Sequence, residues 1–417
     1  MSVAVRQASA AAATLLEDSA LALLLGLLDR DGEEARIVGG ALRNALLDRP
    51  VHEVDIATTA LPETIVARAE TAGLRTIPTG IDHGTVTVLV TGKPFEVTSL
   101  REDVETDGRH ALVRFGRDFA ADAERRDFTI NALSMSRAGT IFDYVGGLAD
   151  LEARRVKFIG DPIRRIREDY LRILRFFRFT ADYAEGPLDP EGLGAAIKER
   201  DGLTHLSRER VRSEVLKLLA ARRSADITEE ICNAGLLGPL LASAPNPARL
   251  KRLVNLGLDT PPDPVLRLAA LTVFVAEDAE RLRECLRLSN QESQRLERAA
   301  IALKTLHGCD GPPVTHELRV LIFRYGRRAA LDGLALAQAE NRNNSAPEWD
   351  GARKFLGDTP EPRLPFSGND LMARGFRSGP AIGDALKVLQ RLWIEAGFPE
   401  DAESLSKLLE GFTRERE

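Results

Sequence analysis

The sequence contains very little of what secreted or zinc-stabilised proteins depend on. Its 417 residues include only three cysteines, Cys232, Cys285 and Cys309, which are widely spaced and form no CxxC or Cys/His ligand pattern. A structural zinc site needs closely grouped ligands, and few, widely spaced cysteines are typical of a reducing compartment. The pattern therefore indicates a protein of a reducing compartment without a structural zinc site.

A long hydrophobic run is missing as well. The apolar stretch Leu21–Leu28 is broken by Gly26 and is too short to span a bilayer. The segment before it lacks the basic region of a signal peptide. We therefore predict an amphipathic first helix in a cytoplasmic protein that has no membrane partner.

An excess of positive charge is also absent, because the formal net charge is −6. The average hides one basic cluster between Glu152 and Arg178, where nine basic residues accompany four acids. Such a stripe could neutralise several phosphates, although a solvated helix face with i,i+4 ion pairs is the alternative. Its basic residues are Arg154, Arg155, Lys157, Arg164, Arg165, Arg167, Arg172, Arg175 and Arg178.

Hydrophobic periodicity divides the chain into a mixed part and a helical part. Its length and its 44% hydrophobic content suit about two to four domains. Residues 13–30 indicate a helix, and from about 162 onward, beginning with 163–182, we find helical periods and no convincing strand. Between them, strands are predicted near Arg36–Val38, Val51–Ala57, Thr85–Val90, Phe95–Leu100 and Ile141–Tyr144, and helices at 62–72 and 119–134.

The first functional motif, VGGALRNALLDRPVHEVDIATTA at residues 38–60, joins a glycine pair to two acids. A strand through Glu53-Val54-Asp55-Ile56 would place both carboxylates on one face and both aliphatic groups on the other. Neighbouring carboxylates repel each other unless a cation lies between them, and a divalent cation is the usual solution. A solvated edge strand beside an ordinary glycine turn is the alternative.

The second motif, DAERRDFTINALS at residues 122–134, places Arg125 and Arg126 beside Asp127. Guanidinium groups offer forked donors that match phosphate oxygens and keep their charge at any working pH. The motif therefore suits phosphate binding, and a surface Arg–Asp pair beside a packed helix is the alternative.

The third motif, REDYLRILRFFRF at residues 167–179, would bring Glu168, Asp169, Arg172 and Arg175 into roughly 120° of helix arc. Asp169 and Arg172 would then offer an acceptor beside a donor. Cytosine and adenine present the complementary amino group and ring nitrogen, whereas uracil and guanine present the opposite polarity. The alternative is an exposed i,i+3 salt bridge of little value to stability.

Together and in this order, the motifs resemble those of class II tRNA nucleotidyltransferases, the CCA-adding enzymes and related bacterial poly(A) polymerases of the DNA polymerase β superfamily. The resemblance is close over about residues 35–222. It is carried by GGALR, EVDIAT, FEVTSLR, RRDFTINAL, EDYLRILRFFRF and SRERVRSEVLKLL.

The resemblance implies an α+β fold, with an α/β nucleotidyltransferase head on a small mixed sheet and an elongated all-helical neck, body and tail. We expect a helical segment at 1–34, the head at 35–150, a base-recognising and RNA-binding neck at 151–222, the body at 223–310 and the tail at 311–417. The implied activity is template-independent addition of C, C and A to the tRNA 3′ end from CTP and ATP, with release of pyrophosphate.

The resemblance also implies roles for individual residues. Glu53 and Asp55 would be catalytic and hold Mg²⁺, with Glu96 as a third carboxylate. Arg109 would lie in a loop that switches addition from C to A. The residues implied for the nucleotide are Gly39, Gly40, Arg43, Arg126, Asp127, Asp169, Arg172, Arg175 and Arg178, and those for RNA are Arg154, Arg155 and Lys157.

Two positions depart from the family pattern. Asn44 follows GGxxR where an aspartate is usual, and Glu53 stands where the first metal carboxylate is usually an aspartate. Two alternatives therefore stay open. One is a poly(A) polymerase or a partial enzyme that adds only CC or only A, and the other is a catalytically weak RNA-binding protein that retains the fold. The sequence does not indicate an oligomeric state.

Overall fold

The computed structural model describes residues 3–80, 84–102, 114–308, 311–341, 347–376 and 379–414. Contacts within the chain define two compact units, Met1–Ser207 and Arg208–Glu417. Among the described residues, every strand belongs to the first unit and the second is helical. The division falls inside the predicted neck at 151–222, and the finer five-part organisation stays a prediction.

The first unit is built on a mixed sheet. Eight strands of the described region follow the order β1-β10-β9-β2-β3-β6-β5-β4, and β7 pairs with β8. Strands β3 and β6 are parallel, and their register aligns Asp55 with Glu96. The strands are β1 (Ala4–Gln7), β2 (Ala35–Val38), β3 (Asp55–Thr58), β4 (Arg75–Gly80), β5 (Thr85–Val90), β6 (Lys93–Ser99), β7 (Arg101–Glu102), β8 (Arg114–Phe115), β9 (Ser134–Ser136) and β10 (Thr140–Asp143).

Helices surround this sheet, and with it they confirm the predicted fold class. They are α1 (Ala10–Ala13), α2 (Ser19–Leu28), α3 (Gly40–Leu46), α4 (Pro62–Thr71), α5 (Phe119–Glu124), α6 (Gly147–Glu152), α7 (Pro162–Glu168), α8 (Leu171–Tyr183) and α9 (Pro190–Lys198), with 3-10 segments at Thr14–Glu17, Thr129–Asn131 and Arg200–His205. The buried face of α8 carries Phe176, Phe177 and Phe179, which pack into the core of the unit.

The amino-terminal segment differs from the helical segment that the sequence predicted. Its first described element is strand β1, whose four residues are exposed and pair with β10 across more than a hundred residues of sequence. A short polar edge strand has no apolar alternation of its own, because its pairing partner alone defines it. The start of the chain therefore belongs to the sheet of the first unit.

The predicted helix at 119–134 is wrong beyond Glu124. Asp127 accepts hydrogen bonds from the Phe128 amide at 2.8 Å and from the Asn131 side chain at 2.9 Å, and the chain turns there. A 3-10 segment and β9 follow. Short polar side chains that bind nearby backbone compete with helix formation, and this competition is the physical reason for the difference.

The predicted helix at 163–182 is two helices. Asp169 has an extended backbone, with φ −156° and ψ 106°, and its Oδ1 accepts a hydrogen bond from the Leu171 amide at 3.1 Å. Helix α7 therefore ends at Glu168 and α8 begins at Leu171. The break removes the continuous helix arc from which the neighbourhood of Asp169 and Arg172 was predicted.

The second unit consists of helices in its described ranges. They are α10 (Arg208–Ala220), α11 (Ser224–Asn233), α12 (Leu237–Leu241), α13 (Pro247–Asn255), α14 (Pro264–Thr272), α15 (Glu277–Leu286), α16 (Asn290–Leu306), α17 (Thr315–Tyr325), α18 (Arg327–Glu340), α19 (Pro347–Asp358), α20 (Gly368–Met372), α21 (Pro380–Glu395) and α22 (Ala402–Arg414).

The side chain of a buried arginine binds the carbonyl groups at the end of one of these helices. Arg249 is fully buried and donates to the Ala270 carbonyl at 2.6 Å, to the Ala269 carbonyl at 2.9 Å and to the Val273 carbonyl at 2.6 Å. These oxygens belong to the last turn of α14 and the residue after it, where helix carbonyls generally lack an intrahelical partner. The Ala269 carbonyl is shared, because it also accepts the Val273 amide at 2.9 Å. Arg249 therefore satisfies the end of α14 within the core of the second unit.

The described chain has no single helix that is long and apolar enough to cross a membrane. The neighbouring segments Ala10–Glu17 and Ser19–Leu28 reach that length and apolar character only as a pair, and the pair is bent by 80°.

Helix α9 offers a test of the packing around α8. Gly192 is buried, and an added Cβ would lie 2.9 Å from Cζ of Phe176, whose ring is itself fully buried. Gly194 lies one half-turn away with no atom within 4 Å of an added Cβ. We expect Gly192→Ala to lower the free energy of unfolding by about 1–3 kcal/mol through overpacking.

Gly194→Ala is the matched control, and we expect it to raise the same free energy by about 0.5–1 kcal/mol, because alanine favours the helix. Chemical denaturation of the two variants gives both values. Equal shifts of the same sign would contradict the packing of Gly192 against Phe176.

Candidate active site

A cleft of about 670 Å³ in the first unit collects residues from four separate segments. They come from the turn after β2 with α3, the segment from Glu53 to the start of β3, the arginine motif after α5, and α8 with Asp169, two residues before it. Of the positions assigned to catalysis or to the nucleotide, Glu96 alone is outside this lining within the described chain. The lining residues are Gly39, Gly40, Arg43, Glu53, Asp55, Arg125, Arg126, Asp127, Asn131, Asp169, Arg172, Arg175, Arg178 and Phe179.

The turn after β2 is shaped by its first glycine. Gly39 has φ 69°, a conformation that side chains with a Cβ rarely adopt, and an added Cβ would lie 3.1 Å from Nη1 of Arg126. Helix α3 begins at the next residue, Gly40. Glycine at position 39 therefore lets the Arg126 guanidinium lie directly against the backbone.

Arg125 and Arg126 are held by one carboxylate. Asp122 is buried and accepts from Arg126 Nη2 at 3.0 Å and from Arg125 Nε at 2.9 Å. Burial opposes ionisation of Asp122, but the two guanidinium groups outweigh it and keep the pKa of this carboxyl below its ordinary value. Arg126 also donates to the Asn131 carbonyl at 3.2 Å. Both arginines are therefore fixed at the edge of the cleft.

Asp127 orients an arginine of α8. Its Oδ2 accepts from Arg175 Nε at 2.8 Å, while its Oδ1 is occupied by the Phe128 amide and the Asn131 side chain. Burial again opposes ionisation, and the charge of Arg175 with the Asn131 hydrogen bond holds the pKa of Asp127 below its ordinary value. Both oxygens of Asp127 are thus used inside the protein, which gives it a positioning role and leaves its predicted nucleotide contact a prediction.

Arg43 is a buried cation with neutral partners. It is 6% exposed and donates to Oδ1 of Asn131, to the Tyr183 hydroxyl at 2.7 Å and to Oδ1 of Asn44 at 3.1 Å. Burial lowers the pKa of its guanidinium. Among the described residues no carboxylate forms an ion pair with it, so its charge is available to an anion in the cleft.

Phe179 brings three arginines together. Its ring is nearly buried, and the guanidinium carbons of Arg178, Arg43 and Arg175 lie 4.2, 5.1 and 5.1 Å from its centroid. Arginine packs well on an aromatic face because the ring quadrupole attracts the cation. The motif RFFRF therefore provides a hydrophobic support on which the basic wall of the cleft rests.

Two carboxylates, Glu53 and Asp55, also line the cleft, and a third, Glu96, is aligned with Asp55 in the neighbouring strand. Within the described chain, the side chains of Glu53, Asp55 and Glu96 make no hydrogen bond or ion pair with the protein. Loss of hydration raises the pKa of Asp55, and the negative charges of Glu96 and Glu53 raise it further against the effect of Arg126. Such a repulsive group of carboxylates favours a cation.

The donor set suits magnesium, which usually takes one or two carboxylates together with water and substrate phosphates. No three His, Cys, Asp or Glu side chains are close enough, in the part of the chain that the structure describes, to form a complete protein cage. Glu53 and Asp55 therefore fit the metal as a two-carboxylate site, and Glu96 contributes charge from the neighbouring strand.

Asp169 and Arg172 both line the cleft in spite of the helix break between α7 and α8. In this structure Arg172 Nη1 donates to Glu168 Oε2 at 2.6 Å and to the Arg165 carbonyl at 2.8 Å, while Asp169 accepts the Leu171 amide. Glu168 thus supports the Arg172 guanidinium. The role of the pair in reading a base stays a prediction.

The residues predicted to bind RNA lie outside the cleft lining. Arg155 donates to Asp150 at 2.6 Å, and Arg154 is 4.0 Å from a carboxylate oxygen of Glu185. Lys157 accepts the Thr129 amide through its carbonyl and is half-buried. Their contact with RNA stays a prediction, and Arg109 lies outside the described residues.

Sequence reasoning missed three residues of the site. Asn131 and Phe179 line the cleft, and Tyr183 binds Arg43. Arg125 had been named in the arginine motif and Asn44 as a departure from the family pattern, and the structure places Arg125 in the lining and Asn44 against Arg43. Asn131 and Phe179 lie inside the quoted motifs, so their signal was proximity to the arginines. Tyr183 has no such signal, because only the packing of α8 against α3 brings it to Arg43.

Comparison with known families matches two segments of the chain. The family described as "Poly A polymerase head domain" matches residues 35–157, and that described as "Probable RNA and SrmB- binding site of polymerase A" matches residues 187–258. The first match contains the glycine turn, the carboxylates and the arginine motif of the cleft.

Individual relatives are similar over most of the chain. CCA tRNA nucleotidyltransferase 1, mitochondrial, of Danio rerio is 34% identical over 93% of this chain and 89% of its own length. The CCA-adding enzyme of Levilactobacillus brevis is 31% identical over 92% of this chain and 95% of its own. The Bacillus stearothermophilus CCA-adding enzyme in complex with CTP has a TM-score of 0.73 at 28% identity, covering 95% of this chain and 98% of that one.

The Asp127–Arg175 pair predicts a pH-dependent stability. Because the folded pKa of Asp127 lies below the ordinary value of 3.8, its contribution is present above that value and is lost as the pH falls through the folded pKa. We expect Asp127→Asn to lower the free energy of unfolding at pH 7 by about 1–2 kcal/mol, since Arg175 remains partly exposed.

Urea denaturation at several pH values measures this difference, which should shrink in acid below about pH 3.8. Asp201→Asn is the control, because its side chain is 99% exposed and its loss should cost under about 0.5 kcal/mol. A difference that is small at pH 7 or grows in acid would contradict the role of Asp127.

Proposed function

Because this chain belongs to the family of CCA-adding tRNA nucleotidyltransferases, we propose that it adds C, C and A to the 3′ end of tRNA, using CTP and ATP and releasing pyrophosphate. The relatives that are about a third identical to it over most of its length carry this activity in their names. One solved relative binds CTP. These similarities support tRNA and the two nucleotides as the substrates.

The observation that carries the proposal is the charge of Arg43. A buried guanidinium with only neutral partners in the described chain is costly unless an anion completes it. The triphosphate of the incoming nucleotide is such an anion. Arg43 would therefore bind phosphate oxygens, close to the Gly39–Gly40 turn where the backbone itself can approach the ligand.

The remaining arginines extend this site. Arg126 is fixed by Asp122, and Arg175 is fixed by Asp127, so both forks are oriented before the nucleotide arrives. Arg178 packs on Phe179 beside them. Preoriented donors lose little conformational entropy when they bind, and they stabilise charge without rearrangement during the reaction. We assign these groups to the phosphates and to the leaving pyrophosphate.

Base selection falls to Arg172 at the start of α8 and to Asp169, two residues before that helix. Asp169 would accept the exocyclic amino group of cytosine or adenine, and Arg172 would donate to the adjacent ring nitrogen. Glu168 pairs with Arg172 at 2.6 Å and would keep its guanidinium directed at the base. Selection by side chains agrees with addition that uses no nucleic-acid template.

We propose that Glu53 and Asp55 hold Mg²⁺ and that the activity depends on it. The ion would lower the pKa of the tRNA 3′ hydroxyl and neutralise charge on the phosphoryl group. The two carboxylates fit this role because they have no partner in the described chain and because the pKa of Asp55 is raised. Glu96, aligned with Asp55 in the parallel pair, would strengthen their attraction for the cation.

The activity is tested with three tRNA primers that end in the discriminator base, in C, or in CC. Each is incubated with CTP or ATP alone, and the 3′ ends are sequenced. Stepwise C, C and A addition is expected. Repeated A addition would favour a poly(A) polymerase, addition of only CC or only A would favour a partial enzyme, and no extension of any primer would favour a catalytically weak RNA-binding protein.

The metal assignment gives one prediction. Asp55→Ala should reduce incorporation to background while leaving tRNA binding largely intact, because the carboxylate serves the metal ion and not the RNA. Single-turnover incorporation and a filter-binding titration with labelled tRNA measure the two effects. Glu70→Ala, which removes an exposed carboxylate of α4, is the control and should retain both properties. Full incorporation by Asp55→Ala with unchanged magnesium dependence would remove the assignment.

A second prediction concerns the choice of base. Two good hydrogen bonds to a base discriminate by about 1–3 kcal/mol, which is roughly 5- to 150-fold against UTP or GTP. Asp169→Ala should therefore slow incorporation of CTP and ATP, while UTP and GTP lose little or gain. Arg172→Ala should do the same, and the double variant should cost less than the sum because each residue needs the other.

Selectivity constants for the four nucleotides measure this effect. Lys198→Ala is a suitable control, because its side chain is exposed on α9 and it lies outside the cleft lining. If Asp169→Ala still prefers CTP to UTP by the original factor, the base is selected elsewhere.

A further inference from the structure

Asn44 lies between hydrogen-bond donors on one side and an acceptor on the other. Its Oδ1 accepts from Arg43 Nη2 at 3.1 Å, from Arg43 Nε at 3.3 Å and from the Tyr183 hydroxyl at 3.2 Å. Its Nδ2 donates to the Pro50 carbonyl at 3.2 Å. Both ends of the amide are therefore used, and in opposite senses.

An amide suits this position and a carboxylate does not. An aspartate could accept from Arg43 and Tyr183, but its second oxygen would meet the Pro50 carbonyl oxygen, and two acceptors repel each other. An aspartate would also form an ion pair with Arg43, whereas the amide leaves the guanidinium charge uncompensated. The residue at position 44 thus determines whether the charge of Arg43 is compensated and whether the Pro50 carbonyl is bound.

Pro50 belongs to the connection that carries the first metal carboxylate. Residues 51–54 lie outside any helix or strand, and β3 begins only at Asp55. Glu53 therefore lies on an irregular segment, three residues after the carbonyl that Asn44 binds. The position of Glu53 depends on how that segment is attached at its beginning.

The attachment continues into α8. The Arg49 amide donates to the Asn44 carbonyl at 2.9 Å, and its side chain donates to the Asp182 carbonyl at 2.7 Å. Arg49 also packs on the ring of Tyr183, with its guanidinium carbon 4.7 Å from the centroid. The segment before Glu53 is thus fixed to the end of α8, the helix that carries Arg172, Arg175 and Arg178.

We propose that Asn44 is a positioning residue for the metal site, which holds Pro50 so that the longer side chain of Glu53 reaches the ion beside Asp55. The inference rests on the proposed metal role of Glu53 and Asp55. It joins the two unusual residues of the first motif in one arrangement. With the segment fixed by Asn44, glutamate has the required reach at position 53 and aspartate is short by one methylene.

The test measures Mn²⁺ binding to the whole chain by electron paramagnetic resonance, in the presence of CTP and without tRNA. Asn44→Ala and Glu53→Asp should each weaken Mn²⁺ binding by roughly 3- to 10-fold, the scale of one lost hydrogen bond. In the double variant, the loss of Mn²⁺ affinity should be at least about threefold smaller than the product of the two single losses. A segment released by Asn44→Ala lets the shorter aspartate side chain approach the ion.

Three further variants make the test decisive. Asn44→Asp should show the same coupling to Glu53→Asp. The negative charge that it adds affects Mn²⁺ binding equally with glutamate or aspartate at position 53, so this charge does not contribute to the coupling. Tyr183→Phe removes a contact of Arg43 and one of the donors to Asn44 Oδ1 but keeps the Pro50 bond, so it should not couple to Glu53→Asp. Asp55→Ala should abolish Mn²⁺ binding, and thermal unfolding identifies any variant that does not fold.

The inference would be overturned if both double variants, Asn44→Ala and Asn44→Asp each with Glu53→Asp, lost Mn²⁺ affinity by the product of the single losses to within about twofold. Equal coupling by Tyr183→Phe would also overturn it, because the effect would then not depend on loss of the Asn44–Pro50 hydrogen bond. In these cases, loss of binding in Asp55→Ala would leave the proposed metal site standing. Unchanged binding in Asp55→Ala would overturn the metal site and the inference together.

Discussion

The cleft holds a group of carboxylates and a group of guanidinium groups, and the protein neutralises neither group completely. Among the carboxylates, Asp55 lies beside Glu53 and Glu96, and burial and repulsion raise its pKa. Among the guanidinium groups, Arg43 is buried and its hydrogen-bond partners in the described chain are all neutral. A nucleoside triphosphate with a divalent cation would relieve both costs at once, since its charges have the reverse order. Each group is thus complementary to one part of the same ligand.

This arrangement requires that the arginines be held by something other than Glu53 and Asp55. Two buried aspartates do so. Asp122 binds the guanidinium groups of Arg125 and Arg126 with its two oxygens. Asp127 binds Arg175 with one oxygen and accepts a backbone amide and the Asn131 side chain with the other. Removing one partner of a buried pair is costly even where the pair adds little net stability. Such pairs therefore fix orientation, and Glu53 and Asp55 remain free of the arginines.

Local patterns predicted the parts of this site that depend on residue type and spacing. The acidic pair in EVDI and the paired arginines identified Asp55 and Arg126, because their chemistry is visible in a few adjacent residues. The strand predicted at Val51–Ala57 was wrong over 51–54, since β3 begins only at Asp55 and Glu53 lies before it. The register that aligns Glu96 with Asp55 and the pairing of β1 with β10 are properties of distant strands. The turn at Asp127 and the break at Asp169 were missed because side chain–backbone hydrogen bonds outweighed helical periodicity there.

The two departures from the family pattern gain a different meaning from their contacts. Viewed separately, Asn44 and Glu53 each weaken the resemblance and favour a protein that retains the fold without the activity. Asn44 instead uses both ends of its amide, and one end binds the segment that leads to Glu53. A decaying site would not be expected to keep Arg43 charged, Arg126 and Arg175 oriented and Asp55 without a partner in the described chain. The contacts therefore favour a compensated active site over a lost one.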